Sequence, residues 1–344
     1  MSVATIDAGL GEQGRLAALR LAFAGTSCLL VCEAMQWTPT FLAPVLVVVL
    51  LGNLPGRPPA KAIVALTMVT AVSALGSFVL ASLLRFIPVL LVAAIALLSL
   101  LCFHSIAAGK PVFPALLALI CLATIPVAVM VAPAQAGALP LALIRGIAMA
   151  LAGVWVAHAL WPATRVRSSP PVSQPRPDPV ITPLARALVS VAVVMPVMLV
   201  YLLFGLADVL PVLVATVMLV VTFDARRSLL QAVAMVLGNL AGGFIGLLLY
   251  AVLLITPNLA LLALLVFTAL LFYGGGIARG GPMAPVMLIA CNATLIIFSS
   301  AIATGPAPLS IWWGRLFQFA VAGAFSVAAM SFFWRYHGAV HGPR

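Results

Sequence analysis

The sequence predicts an all-α integral membrane protein with about twelve transmembrane helices in two parallel six-helix repeats. Of its 344 residues, 65% are apolar and only 7% are charged, whereas an ordinary soluble domain has roughly 25% charged residues. Apolar stretches long enough to cross a bilayer, at about 20 residues each, follow one another with short breaks. Short segments of the first half also recur in the second half. Together these features favour a duplicated helical membrane protein over a soluble domain or a β-barrel.

The recurrence keeps a nearly constant spacing along the chain. The matching positions are 44–47 (PVLV) with 211–214 (PVLV) and Gly76 with Gly243, 167 residues apart, then Cys121, Thr124 and Arg145 with Cys291, Thr294 and Arg315, 170 residues apart. One small insertion between the two groups explains the change in spacing. Duplicated hydrophobic chains are typical of secondary transporters, which bind their substrate where the two repeats meet. The duplication is therefore the first indication of function.

The first half contains six apolar stretches, each of which predicts a helix. Their ranges are 16–36, 41–54, 62–84, 86–107, 112–132 and 139–161. Asp7 and Glu12 precede the first stretch, and the chain has neither a basic n-region nor a small-residue cleavage site there. We therefore expect a retained first helix, because a signal peptide carries both of those features.

A Pro-rich segment separates the two halves. Residues 168–183 (SSPPVSQPRPDPVITP) are expected to form an extended cytoplasmic linker that is too short for a folded domain. Six further helices are predicted at 185–206, 209–222, 229–253, 258–275, 283–303 and 311–334. The predicted organisation is an N-terminal repeat over 1–161, a linker over 162–183 and a C-terminal repeat over 184–344.

The distribution of charge predicts the orientation in the membrane. The chain has 17 basic and 6 acidic residues, a net charge of +11. With a cytoplasmic N-terminus, all basic residues except Arg85, Arg145 and Arg315 fall on the cytoplasmic side. Because basic residues are concentrated in cytoplasmic loops of membrane proteins, we expect both termini in the cytoplasm. The same bias explains the net positive charge without a nucleic-acid partner.

The sequence lacks the residue patterns that support catalysis or metal binding. It has no His-Glu-x-x-His motif, no Gly-x-Ser-x-Gly motif and no cluster of carboxylates. The five cysteines lie in apolar stretches without metal-ligand spacing and are expected to be packing residues: Cys28, Cys32, Cys102, Cys121 and Cys291. We therefore expect neither an enzyme nor a bound metal or cofactor.

Arg145 and Arg315 are the candidate substrate-binding residues. Each is expected about six residues inside its helix from the outer end, or roughly 9 Å. A guanidinium group at that depth carries an energetic cost. Two interpretations stay open: the side chains reach the outer headgroups, or they face the cavity between the repeats and bind a carboxylate through two parallel hydrogen bonds.

Glu33 and Asp208 are the candidate proton-coupling residues. Glu33 is the only carboxylate well inside a predicted span, and Asp208 lies at the outer start of the predicted helix 209–222. Both are expected near the depth of the two arginines. A desolvated carboxylate at that depth can carry a coupling proton. The alternative for each is an interfacial acid that reaches water.

Pro44 and Pro211 are candidate helix breaks in a transport pathway. Each lies near the outer end of a short predicted helix, at matching positions in the two halves. Short segments interrupted by proline at matching positions are a sequence indication of a transport site. The alternative is a proline that starts a helix after a tight hairpin.

Two sets of residues, one in each half, follow the same plan. They are 20–24 (RLAFA), 41–51, Arg57, Lys61 and Gly76, and then Arg186, Pro211, Arg226, Arg227 and Gly243. This plan resembles a compact version of the fusaric acid resistance-like (FUSC-like) family, which includes aromatic acid exporters. The resemblance implies a bacterial inner-membrane protein that exports small, often aromatic, organic acids. It also implies a periplasmic membrane-fusion adaptor and an outer-membrane channel as partners.

The predicted function is proton-driven efflux of small organic acids by an inner-membrane secondary transporter. Arg145 and Arg315 would contact the anion, and Glu33 would carry the proton. Two alternatives stay open at this point: a non-transporting membrane subunit that anchors a partner complex, and an anion channel. Association with further copies of the chain is compatible with each of them.

Overall fold

The computed structural model describes residues 3–53, 56–162, 182–204, 228–281 and 283–304, and the single residues 217, 220, 321, 325 and 328. Within these residues the secondary structure is helical, without strands. The helices, numbered in chain order, are α1 (Val3–Ala34), α2 (Leu42–Asn53), α3 (Ala60–Leu84), α4 (Pro88–Ala107), α5 (Val112–Val131), α6 (Pro133–Ala136), α7 (Leu139–Leu160), α8 (Pro183–Phe204), α9 (Ser228–Leu253), α10 (Leu259–Arg279) and α11 (Ala284–Thr304). Nine of these described helices are long and apolar enough to cross a membrane. The chain is therefore an all-α protein with the helices of a multi-pass membrane protein.

The predicted helix positions agree closely with the described ones. Every described helix except α6 overlaps a predicted helix, and most ends agree within about two residues. The all-α class is confirmed in the described residues. Apart from single residues, the predicted helices 209–222 and 311–334 lie outside the described residues, as does nearly all of the predicted linker 162–183. The total of twelve helices therefore stays a prediction.

The prediction was wrong at two helix ends. α1 begins at Val3, well before the predicted residue 16, because the helix continues past its apolar span, which starts at Gly11. α10 continues to Arg279 instead of ending at 275. A Cβ atom on Gly274 would lie 2.8 Å from the Cα atom of Ala18, so this glycine permits close helix packing rather than a turn.

Local sequence determines several helix ends. The side chain of Asn258 caps α10 by accepting a hydrogen bond from the Leu261 amide at 2.7 Å. α4 starts with Pro88, at a position where the missing N–H has no intrahelical acceptor. After α10 the chain turns through Gly280 and Gly281, whose φ angles of 74° and 78° favour glycine. Glycine and proline thus act here as predicted from their backbone preferences.

The described helices form two units, each with its own packing. The first unit contains α1, α2, α7 from Arg145, α9 from Val233, α10 and α11. Its most extensive helix contact joins α1 to α10, and α2 packs against both α1 and α11. Small residues line the contact between α1 and α10, because Gly14 lies against Ala278 and Gly274 against Ala18.

Three helices of the first unit are joined by one buried hydroxyl group. A Cβ atom on Gly242 of α9 would clash with the Ala290 carbonyl oxygen of α11, so the two helices touch backbone to backbone. The Thr294 hydroxyl lies 2.9 Å from the Gly242 carbonyl oxygen and 2.8 Å from that of Ala290. The Tyr273 hydroxyl of α10 lies 2.8 Å from the same Thr294 oxygen. These hydrogen bonds connect α9, α10 and α11 inside the apolar core.

The second unit contains α3 from Val64, α4, α5, α6 and α8. α4 packs against α8 and α5, and α5 is the most buried of the candidate spans. Proline lies inside two of these helices, at Pro126 in α5 and Pro196 in α8. Each proline removes one backbone donor from the middle of a span. Sequence reasoning singled out Pro44 and Pro211 and overlooked these two.

Each unit combines helices from both sides of the Pro-rich segment. In the first unit, α1 packs on α10, which are the first helix of one predicted repeat and the fourth helix of the other. In the second unit, α4 packs on α8, which are the fourth helix of one repeat and the first of the other. The division into units therefore follows the packing of helices and differs from the predicted division into repeats, which stays a prediction.

Candidate functional site

The C-terminal end of α1 positions the aromatic ring of the site. The Trp37 amide donates to the Cys32 carbonyl at 2.9 Å, and the Gln36 amide donates to the Glu33 carbonyl at 3.1 Å. Gln36 has a φ angle of 53°, in the left-handed region. This combination of a left-handed residue with two reversed backbone bonds ends many helices, usually with glycine at the left-handed position. It turns the chain so that Trp37 follows the helix directly.

α1 and α7 run antiparallel, and their register brings Arg145 to the same end. The Cys28 thiol donates to the Met149 carbonyl oxygen at 3.5 Å. A Cβ atom on Gly153 would lie 2.8 Å from the Cys28 sulfur, so glycine allows this close approach. One helical turn from Met149 lies Arg145, whose guanidinium carbon is 5.1 Å from the centroid of the Trp37 ring. This distance is that of a cation–π contact.

The side chain of Arg145 is only partly satisfied by the protein. Its Nε atom is buried and has no hydrogen-bond partner in the described part of the chain. A guanidinium group carries five N–H donors, and buried donors are normally paired. The guanidinium carbon lies over the Trp37 ring, and the unpaired Nε–H remains available for an acceptor.

Glu33 lies near Arg145 and also retains an unpaired atom. Its Oε1 atom is buried and lacks a hydrogen-bond partner among the described residues. The Cys32 thiol between them lies within electrostatic range of both the Glu33 carboxylate and the Arg145 guanidinium. The structure therefore brings together one of the predicted arginines and the predicted proton-coupling carboxylate, at one end of the first unit.

Two further buried polar atoms of the first unit lack partners among the described residues. They are Oγ1 of Thr26 on α1 and Oδ1 of Asn292 on α11. Thr26 is 6% exposed and precedes Glu33 by seven residues, so both lie on one face of α1. Sequence reasoning did not single out Thr26 or Trp37, and it assigned Asn292 to helix packing. A threonine in an apolar stretch gives no indication of whether its hydroxyl will find an acceptor.

The start of α2 and the segment before it contact α7 and α11 at this end of the first unit. The hydroxyl groups of Thr40 and Ser299 are hydrogen-bonded, which ties the segment before α2 to α11. A Cβ atom on Gly146, next to Arg145, would lie 2.9 Å from the Leu42 side chain. Pro44 lies in the first turn of α2, where a missing N–H removes no intrahelical hydrogen bond. Of the two interpretations left open for Pro44, this position fits the proline that starts a helix.

The remaining predicted site residues are Arg315, Asp208 and Pro211, which lie outside the described residues. Within the described part of the chain, no group of three or more His, Cys, Asp or Glu side chains is placed to hold a metal ion.

Comparison with known proteins gives one match. Residues 17–157 match the family model described as "Protein of unknown function (DUF2955)". This range runs from α1 into α7 and includes Glu33, Trp37, Pro44 and Arg145. Neither the curated proteins nor the solved structures give a match. The chain is thus similar over its first predicted repeat to a family whose description states no activity.

Proposed function

We propose that this protein is a secondary transporter of small organic anions and that Arg145 binds the anion. The observation that carries the proposal is that Nε of Arg145 and Oε1 of Glu33, both buried and without a partner among the described residues, lie at the same end of the first unit. Both residues lie in helices that are long and apolar enough to span a membrane. Ionisable groups inside spans are costly and mark substrate and proton pathways. A bound ligand that hydrogen-bonds to the unpaired atoms of Arg145 and Glu33 would offset the energetic cost of burying them.

The geometry around Arg145 favours a carboxylate as the ligand. The guanidinium carbon of Arg145 lies over the Trp37 ring, 5.1 Å from its centroid. The planar edge then offers parallel N–H donors, which match the two oxygens of a carboxylate. Aromatic acids are the substrate class that the resemblance to aromatic acid exporters suggests, and their export from a bacterial cell is the direction that it suggests.

Glu33 gives the site a defined linkage between proton and anion. When Glu33 is ionised, its negative charge repels the anion and offsets part of the attraction between the anion and Arg145. Protonation of Glu33 removes this competition and raises the affinity for the anion. Because linkage is reciprocal, bound anion also favours the protonated carboxyl group. This arrangement favours movement of proton and anion in the same direction, so export under this linkage is driven by the outward concentration gradient of the acid itself and not by inward proton flow.

The helix packing supports the predicted pair of parallel six-helix repeats. The contact of α1 with α10 and that of α4 with α8 correspond to each other under the predicted spacing of about 170 residues. Under this symmetry Arg315 is the counterpart of Arg145 and serves as a second anion contact, while Glu33 has no acidic counterpart. The distribution of basic residues supports cytoplasmic termini. A periplasmic adaptor and an outer-membrane channel are the partners that the resemblance suggests.

Transport of a labelled aromatic carboxylate such as benzoate into liposomes tests the proposal. Arg145→Gln is expected to lower the apparent affinity about tenfold or more, because a hydrogen bond to a charged group contributes about 1.5–3 kcal/mol. Arg145→Lys should retain part of the affinity, since it keeps the charge without the planar edge. Arg279→Gln changes an exposed arginine at the end of α10 and serves as the control.

Glu33→Gln separates the role of the proton from that of the anion. It should bind the anion at neutral pH as well as the protonated wild type does, and lose the dependence of uptake on a pH gradient. Exchange of labelled for unlabelled anion should persist. Unchanged affinity in Arg145→Gln, together with unchanged pH dependence in Glu33→Gln, would contradict the proposal. Anion current without a proton gradient would indicate a channel, and absence of flux with a co-purifying protein would indicate an anchoring subunit.

A further inference from the structure

The opposite end of the α1–α7 pair carries a second concentration of positive charge. The guanidinium carbon of Arg57 lies 3.9 Å from the centroid of the Trp155 ring. Arg57 is exposed, and the Trp155 side chain is 39% exposed. This aromatic–cation pair is separate from the Arg145 site. Phe23 of α1 packs against Trp161 just beyond the end of α7, and Arg20, about one turn before Phe23, precedes Glu33 by thirteen residues, or roughly 20 Å of helix.

Two further basic groups surround this pair. His158 is buried, its Nδ1 atom lies 2.9 Å from the Val154 carbonyl oxygen, and it is within electrostatic range of both Arg20 and Arg57. The Arg20 Nε donates to the carbonyl oxygen of Leu16 at 3.2 Å. No carboxylate lies within 4 Å of either arginine in the part of the chain that the structure describes. Among the described residues, Arg20 and Arg57 are thus cationic groups without a counter-ion, and such groups create a potential that attracts anions.

The surface beside these charges is apolar and exposed. Trp155, Val156 and Leu160 near the end of α7 are 39%, 41% and 54% exposed. Trp161, which follows α7, packs edge-on against Phe23 with ring centroids 5.4 Å apart. Tryptophan at the end of an apolar helix is typical of the boundary between acyl chains and headgroups. A ligand at this end therefore meets positive charge at its head and an apolar helix face along its length.

We propose that this end of the first unit binds the phosphate of an anionic phospholipid. Arg57 and Arg20 hold the headgroup, and an acyl chain lies along Val156 and Leu160. The exposed apolar face favours a lipid over a soluble anion, which would leave that face uncovered. Basic side chains at helix ends are a recognised means of binding anionic lipid headgroups. The site is independent of the transport proposal, because it uses neither Arg145 nor Glu33.

Native mass spectrometry of the full-length protein in detergent tests the site, with phosphatidylglycerol and phosphatidylcholine of identical acyl chains as probes. The wild type is expected to retain phosphatidylglycerol in preference to phosphatidylcholine. Arg57→Gln should weaken phosphatidylglycerol binding about fivefold, the contribution of one basic residue beside an anionic lipid, and the double variant Arg20→Gln/Arg57→Gln should weaken it further. Arg57→Lys keeps the charge and should retain most of the binding.

Arg85→Gln is the matched control. Its guanidinium carbon lies 5.3 Å from the Phe86 ring, so it also removes an arginine stacked on an aromatic side chain. It should leave phosphatidylglycerol binding at the wild-type level. Equal retention of the two lipids by the wild type would overturn the proposal without need of any variant. Displacement of the lipid by millimolar benzoate or inorganic phosphate would overturn it in favour of a site for soluble anions.

Discussion

At the scale of single residues, the surroundings of Arg145 are formed by two helices. Arg145 lies on α7, and the turn after α1 places the Trp37 ring beneath its guanidinium carbon. The turn depends on Gln36, a residue with a side chain in a backbone conformation that usually requires glycine. The position of the ring therefore depends on the backbone conformation of the residue that precedes it.

Substitution of Gln36 tests this dependence. Gln36→Val should destabilise the protein by about 1–2 kcal/mol, because a β-branched side chain is strongly disfavoured at positive φ. It also removes the hydrogen bond from the Gln36 side chain to the Glu33 carbonyl, 2.9 Å long. Lower thermal midpoints in detergent and weaker binding of benzoate are the expected results.

Gln36→Asn is the matched control for this substitution. Asparagine tolerates the left-handed region, so both the thermal midpoint and the anion affinity should stay close to the wild type. An equal loss in both variants would mean that the glutamine side chain, and not the backbone conformation, holds the turn in place.

At the scale of helices, α9 shows why small residues recur along a span. Glycine at positions 238, 242 and 246 forms one stripe, and a Cβ atom at each would lie 3.0 Å or less from atoms of α11. The close approach allows Thr294 to reach the Gly242 carbonyl oxygen. In a membrane such contacts supply packing energy that the hydrophobic effect does not provide between apolar helices.

Gly242→Ala tests the contact between α9 and α11. The added methyl group meets the Ala290 carbonyl oxygen, so the helices must separate and the bond from Thr294 to the Gly242 carbonyl must lengthen. We expect a loss of about 1–3 kcal/mol, as in other overpacked cores, seen as a lower thermal midpoint.

Gly76→Ala in α3 is the control for Gly242→Ala. No atom lies within 4 Å of a Cβ built at Gly76. Alanine should therefore be neutral there or stabilise the helix by up to about 1 kcal/mol, because it has the higher helix propensity. A similar loss at both positions would contradict the assignment of the loss at Gly242 to packing between α9 and α11.

Sequence alone located the helices well and the contacts between them poorly. Hydropathy identifies a transmembrane helix because most of its residues must suit the same apolar environment, the interior of the bilayer. It missed the extension of α10 through Gly276, since a glycine that packs against Met287 looks the same in sequence as one that ends a helix. The prolines inside α5 and α8 were overlooked because neither recurs in the other half.

The candidate site could be predicted only in part, because the sequence indicates how deep a residue lies along its helix but not which residues of other helices it contacts. Glu33 and Arg145 stand out because charge is rare in apolar stretches, and depth along a helix follows from counting residues. Their proximity to each other depends on the register of α1 against α7, which the contact of Cys28 with Met149 and Gly153 determines. Trp37 and Thr26 could not be identified, because whether a polar atom finds a partner is a property of tertiary structure.

At the scale of the whole molecule, neither half of the sequence forms a unit by itself. α1 finds its main partner in α10 and α8 finds its main partner in α4, so each unit needs helices from both halves. Sequence duplication and structural units are therefore two different divisions of the same chain. The first is a prediction from recurring sequence segments, and the second reflects which apolar faces bury each other.

Separate expression of the two halves tests this division. A chain interrupted between residues 162 and 182, with both pieces expressed together, should yield a complex in which a tag on one piece recovers the other. Each piece expressed alone should be degraded or aggregate, because α1 or α8 then lacks its partner face. A stable, monodisperse N-terminal piece on its own would contradict the assignment of α1 and α10 to one unit.

The pairing of α1 with α10 also has a consequence in time. About 250 residues separate the end of α1 from the end of α10, and ribosomes add roughly 5–20 residues per second. The first helix therefore waits roughly 10–50 seconds in the membrane, with the small residues of its packing face uncovered, before its partner is synthesised. During that interval the newly made chain depends on lipid or on the insertion machinery to cover the face that α10 covers in the finished protein.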